Sequence, residues 1–260
     1  MSLTRRTFLK LTGAVMASLP FSRYATAAAV NIPVFMYHDI SNQQREEETV
    51  SPSLFAAQME CLHSAGYRAI AFEEIDSLDA ESLKRAVLIT FDDGFVSFMD
   101  YAFPLFTEYG FKSTISIIGK CTGGFVTGND PRLSWDECRY LIRSGIVEIG
   151  CHTYDLHSWY GTLSRAEAIA AVNKKLPQDL AHFQKVYTEE LGHPAKILAW
   201  PYGRYDGESI EIAKQAGFRY ILSSNHRYFT AEGSRSDIPR FTIDNNAPLP
   251  LVRKILERRL

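Results

Sequence analysis

Short β-branched apolar runs recur along this chain, and amphipathic segments ending on glycine lie between most of them. The runs cover residues 31–38, 67–72, 86–91, 112–118, 146–150, 196–200, 220–223 and 238–243. Helical spacing marks 53–63, 95–109, 134–145, 164–191, 208–216 and 248–259. Strand and helix thus alternate about seven times, which predicts a parallel sheet with helices outside, as a barrel or a doubly wound sheet. Ser53 is the expected cap of the first helix, and Ser134 with Glu137, and Ser164 with Glu167, form capping-box patterns. Pro104 predicts a kink or late start in its helix, and Pro177 a break in the long one. A length of 260 residues with 46% hydrophobic content suits one α/β domain.

The run at 86–91 stops at Asp92, Asp93 and Gly94. A turn explains Asp-Gly by itself, yet two adjacent carboxylates repel and do little for stability. Other strands end comparably. His38 closes the first, His152 stands just past 146–150, and Pro201-Tyr202-Gly203 follows 196–200. In an α/β barrel these carboxyl-terminal positions share one bowl. His157 follows His152 by five residues, so a loop must bring the two imidazoles together. Two histidines and an aspartate suit Zn²⁺, with Co²⁺, Ni²⁺ or Fe²⁺ as alternatives, and leave coordination positions open. With a second carboxylate as base and another histidine as acid, the parts describe amide or ester hydrolysis.

The segments Thr90-Phe-Asp-Asp-Gly94, His152-Thr153 with His157, and Trp200-Pro-Tyr-Gly203 resemble the first three motifs of the polysaccharide deacetylase family, carbohydrate esterase family four. The resemblance runs from about Pro33 to Phe241 and implies a distorted (β/α)7 barrel of parallel strands with outer helices. It also implies that Asp92 is the general base, and that Asp93, His152 and His157 bind the metal. The backbone N–H of Tyr202 would hold the oxyanion, with Trp200 and Pro201 shaping the groove wall. Two departures stand out. The histidine spacing is five rather than the usual four, with Asp155 as an alternative third ligand, and the late Leu-x-His motif is missing. Both resemble the branch that deacetylates poly-β-1,6-N-acetylglucosamine, whose barrel is circularly permuted. That likeness assigns the general acid to His38 and leaves His226 in a loop. The implied substrate is an acetylated amino-sugar polysaccharide. Peptidoglycan, chitin oligomers, O-acetylated polymers and a non-catalytic sugar-binding role are the alternatives.

Residues 1–27 read as a signal peptide. Arg5-Arg6 before Phe-Leu-Lys10 resembles a twin-arginine export signal, and Ala25-Thr-Ala27 offers a cleavage site. That predicts a periplasmic or secreted catalytic domain over 28–260 with no transmembrane segment. The leader holds four of the 28 basic residues and none of the 30 acidic ones, so the remainder nets −6. This charge offers nothing to nucleic acid, and a monomer is expected. Cys61, Cys121, Cys138 and Cys151 contain no C-x-x-C pair, and free thiols are preferred over disulfides.

Overall fold

A computed structural model describes residues 29–43, 48–126 and 130–259. The expected leader, 1–27, lies outside them. The principal strands are β1 (Val34–Tyr37), β2 (Arg68–Ala69), β3 (Ala86–Phe91), β4 (Ser113–Ile117), β5 (Val147–Cys151), β6 (Ile197–Ala199), β7 (Tyr220–Leu222) and β8 (Phe241–Thr242). They form one parallel sheet in the order β7-β6-β5-β4-β3-β1-β8, with β2 paired to the start of β3. The sheet curls, and a single parallel bridge from Ile238 to Leu222 ties the last segment to the opposite edge. The sheet is therefore joined there by one residue pair, as a distorted seven-stranded barrel requires. Pro239 explains why the 238–243 run yields only a two-residue strand, since it has no N–H to give a ladder.

Strand alternation sorts the core into two layers. Val87, Ile89 and Phe91 of β3 pack under the helices, whereas Ala86 and Leu88 join Val34, Ile197, Ala199 and Tyr220 in the barrel interior. Every β3 residue is buried, as a strand covered on both faces must be. Outside β3, Tyr37, Phe55, Phe98 and Phe106 surround Phe91 with ring centroids 4.9–6.1 Å apart.

The first helix is Pro52–Ser64, and its cap is Ser51 rather than Ser53. Pro52 occupies the opening position, where no N–H is needed, so the cap falls one residue before it. Pro104 delays its helix as expected: Phe98–Ala102 is π-helical, and Phe103–Tyr109 is α-helical with Pro104 in its first turn. The long stretch from Ser164 divides into Arg165–Asn173 and Leu176–Leu191, with Pro177 at the start of the second. The Ser134–Glu137 capping box forms, through N–H to side-chain bonds of 3.2 and 2.7 Å. The Ser164 hydroxyl instead bonds the Glu167 carboxylate directly. No helix among the described residues is long and apolar enough to cross a membrane. All four cysteines are free.

Candidate metal and active site

The inward face of each strand continues past its carboxyl end. On β1 the inward positions are Val34 and Met36, so His38 follows. On β3 they are Ala86, Leu88 and Thr90, so Asp92 follows. Gly150 packs beside Ile197 of the neighbouring strand, whose side chain belongs to the barrel interior, which puts His152 on the same face. Period-two alternation thus delivers three remote residues into one cavity of about 520 Å³, which Asp93, His157, Trp200 and Tyr202 also line.

Asp93, one residue out of step, reaches the cavity through a left-handed backbone with φ 70°. Thr153 (φ 67°) and Tyr202 (φ 54°) are left-handed too. Among the described residues, three of the four non-glycine residues held in this costly region belong to the three strand-end turns at the cavity, the fourth being Arg258. Gly94 continues the Asp93 turn at φ 72°, where a Cβ would meet the Ile117 side chain at 2.9 Å.

Asp93 Oδ1 lies 3.4 Å from His152 Nε2 and 3.3 Å from His157 Nε2. One ligand atom from each of the three falls within 4.8 Å of the others. His152 Nδ1 is 2.9 Å from the Ala199 carbonyl, which only accepts, so Nδ1 carries the proton and Nε2 keeps its lone pair. Burial lowers the His157 pKa to about 4 despite the Asp93 charge, so its imidazole is neutral at pH 7. Asp93 Oδ1 is buried without a hydrogen-bond partner. A buried carboxylate oxygen facing two neutral imidazole nitrogens fits a divalent cation with mixed nitrogen and oxygen preference.

The five-residue spacing is bridged by a turn that Asp179 holds from the helix Leu176–Leu191. Its carboxylate accepts from the N–H groups of Tyr154 (2.7 Å) and Asp155 (2.9 Å). His157 then opens a short helix, His157–Thr162, where a loop was expected. Asp155 is no ligand: it is exposed and paired with Lys120 at 2.7 Å.

Asp92 meets a partner that the motifs do not announce. Arg240, fully buried, donates to Asp92 Oδ1 at 2.8 Å and Oδ2 at 2.7 Å. Its remaining donors reach Thr90 Oγ1 and the Ser223 carbonyl. Burial alone would raise the Asp92 pKa, but the charge of Arg240, then those of His152 and His38, hold it far below the usual range. An arginine inside the apolar 238–243 run was the available signal. His38 Nδ1 is buried without a partner. Trp200 is 1% exposed and stacks on Tyr205, and Pro201 is buried, so among the 200–202 side chains it is the Tyr202 ring, 55% exposed, that meets solvent. His226, from its loop, reaches the same cavity.

The sequence profile of the polysaccharide deacetylase family matches residues 79–221, more than half of the chain. The chain belongs to the polysaccharide deacetylase family. Among family relatives, it is 30% identical over 198 residues to YxkH of Bacillus subtilis, whose name assigns it provisionally to the polysaccharide deacetylases. That match covers 75% of this chain but only 64% of the relative, so the chain spans a little less than two thirds of it. It is 26% identical over 222 residues to a poly-β-1,6-N-acetyl-D-glucosamine N-deacetylase of Staphylococcus aureus, covering 85% of this chain and 76% of that one. The deacetylase fold is matched by the structure of IcaB from Ammonifex degensii, with a TM-score of 0.75 at 24% identity over 87% of this chain and 97% of that one. A de-N-acetylase from Aggregatibacter actinomycetemcomitans gives 0.73 at 20% identity, over 86% and 99%.

Proposed function

We propose that this chain is a metal-dependent deacetylase that removes N-acetyl groups from an N-acetylglucosamine-containing polysaccharide. The observation that carries the reading is the convergence of Asp93, His152 and His157 in one cavity with a second carboxylate, Asp92, kept anionic by Arg240. A sugar-binding protein has no need of both. The Staphylococcus aureus relative's name supports the choice of substrate.

Asp93, His152 and His157 would hold the cation, with zinc favoured by two imidazoles and one carboxylate, and Co²⁺, Ni²⁺ or Fe²⁺ as alternatives. When bound, it would supply Lewis acidity, polarising the acetyl carbonyl and lowering the pKa of a water. The chain's own residues do the rest. Asp92 takes the proton of the attacking water. The Tyr202 N–H, fixed in its left-handed turn, donates to the oxyanion of the tetrahedral intermediate. His38, across the cavity, protonates the departing amine, and acetate leaves. The exposed Tyr202 ring, with Trp200 and Pro201 behind it, forms the wall on which a sugar would lie. We further propose that residues 1–27 export the enzyme through a twin-arginine pathway, to the periplasm or the medium, where such polymers are found.

The test is acetate release by zinc-loaded protein from a panel of acetylated polymers: poly-β-1,6-N-acetylglucosamine, chitin oligomers, peptidoglycan and an O-acetylated polymer. Release from the first above the others is expected. Release only from another member would reassign the substrate, and release from none would overturn the reading.

A further inference from the structure

Two buried arginines, one bonded to Asp92 and one lining the cavity, are treated oppositely by their surroundings. Arg240 is fully buried, with partners for Nε, Nη1 and Nη2. Arg132 is only 7% exposed and lines the same cavity. Its Nε and Nη1 find no hydrogen-bond acceptor, and among the described residues no carboxylate pairs with it. Its guanidinium carbon instead lies over the ring of Phe95, 3.4 Å from the centroid. The backbone holds it there, since Arg132 bridges to Phe95 and its N–H donates to the Gly124 carbonyl.

A buried cation with idle donors is costly, and a ring face offsets only part of that. The charge is also close enough to the metal-binding candidates to act on both Asp93 and His157. A planar guanidinium at a cavity wall, with no anion among the described residues to satisfy it, complements the shape and charge of a carboxylate. A dianion such as phosphate is the poorer guest, because Glu48, Asp92 and Asp93 already bring three carboxylates to the cavity.

We propose that Arg132 is a carboxylate-binding residue of this cavity, taking either free acetate or the acid group of an acidic sugar. Naming acetate as the first source rests on the proposed deacetylation, which releases it here; the recognition itself does not. Arg132 would then set product retention in the one case and substrate choice in the other.

The experiment measures binding of sodium acetate, sodium glucuronate and neutral N-acetylglucosamine to the chelator-stripped protein by ligand-observed NMR, without turnover. Wild type should bind a carboxylate, and Arg132→Met should weaken that binding at least tenfold while leaving N-acetylglucosamine unchanged. Arg132→Lys, which keeps the charge but loses the planar fork, should weaken it several-fold and serves if the Met variant does not fold. Acetate binding as tightly as glucuronate would identify the product as the source, and glucuronate binding tenfold tighter would identify an acidic sugar. No carboxylate binding by wild type, or equal binding by wild type and both variants, would overturn the proposal. Because no catalysis is read, a protein that released no acetate from any polymer could still pass this test, so the two failures are separable.

Discussion

Arg240 and Asp92 stand 148 residues apart in the chain and meet fork to fork, through hydrogen bonds of 2.8 and 2.7 Å. The pair closes the barrel chemically where the Ile238–Leu222 bridge closes it structurally, because both partners of the last segment lie within three residues. Removing one member leaves the other charge buried without compensation. Arg240→Met is therefore expected to cost about 3–5 kcal/mol in chemical denaturation and to remove activity. A loss below about 1 kcal/mol would mean that the pair contributes little to the fold.

His38 and His226 both face the cavity, and they offer two assignments of the general acid. His38 continues the inward face of β1, while His226 is exposed and its Nε2 lies 3.1 Å from Thr242 Oγ1. His38→Ala should lower kcat by about 10²- to 10⁴-fold with bound metal unchanged. His226→Ala should change it by no more than a few-fold. The reverse ranking would move the acid to His226.

Asp179 spans the turn between the two metal-binding candidates through its bonds to Tyr154 and Asp155. Groups that orient ligands are typically worth 10- to 100-fold in metal affinity. Asp179→Ala should weaken zinc binding by about that factor in a competition with a chelator. As a control, Asp206→Ala removes a helix cap elsewhere and should lower the melting temperature without changing zinc affinity.

Glu148 lies near the start of β5, and its carboxylate accepts from the Phe72 N–H and the Thr114 hydroxyl. Burial raises its pKa in the folded protein, against the two hydrogen bonds that lower it. The folded state therefore holds the proton more tightly than the unfolded state. That stability is present in full below the unfolded pKa, about 4.3, and is lost as pH rises through the folded value. Glu148→Gln keeps an acceptor and removes the titration. Its melting temperature should exceed that of wild type by more at pH 7 than at pH 4. A difference constant with pH would contradict this.

Strand parity made much of the site legible in the sequence. His38, Asp92 and His152 arrive where a period-two count from the apolar run places them, and the alternation of runs and helices specifies a parallel sheet with outer helices, the family resemblance choosing the barrel. What escaped depended on backbone conformation or on distance along the chain. Nothing in the residue types of Thr153 or Tyr202 announces a left-handed backbone, yet such residues stand in the turns beside the cavity that His157 and Tyr202 line. The helix at His157–Thr162 has no side-chain cap and contains Gly161, so its sequence reads as a loop. Arg240 was visible only as a charge in an apolar run, and its partner lies on another strand. Ser53 suits a cap by residue type, but Pro52 fits the first helical position and so shifts the cap to Ser51.

The most direct measurement is the zinc retained per chain after dialysis against metal-free buffer, for wild type and for Asp93→Ala, His152→Ala and His157→Ala, with Asp92→Asn as the control. The site predicts about one zinc in wild type and in Asp92→Asn, and almost none in the three ligand variants. Full zinc in any of those three would remove that residue from the coordination set, and full zinc in all three would place the cation elsewhere and end the hydrolytic assignment of this cavity.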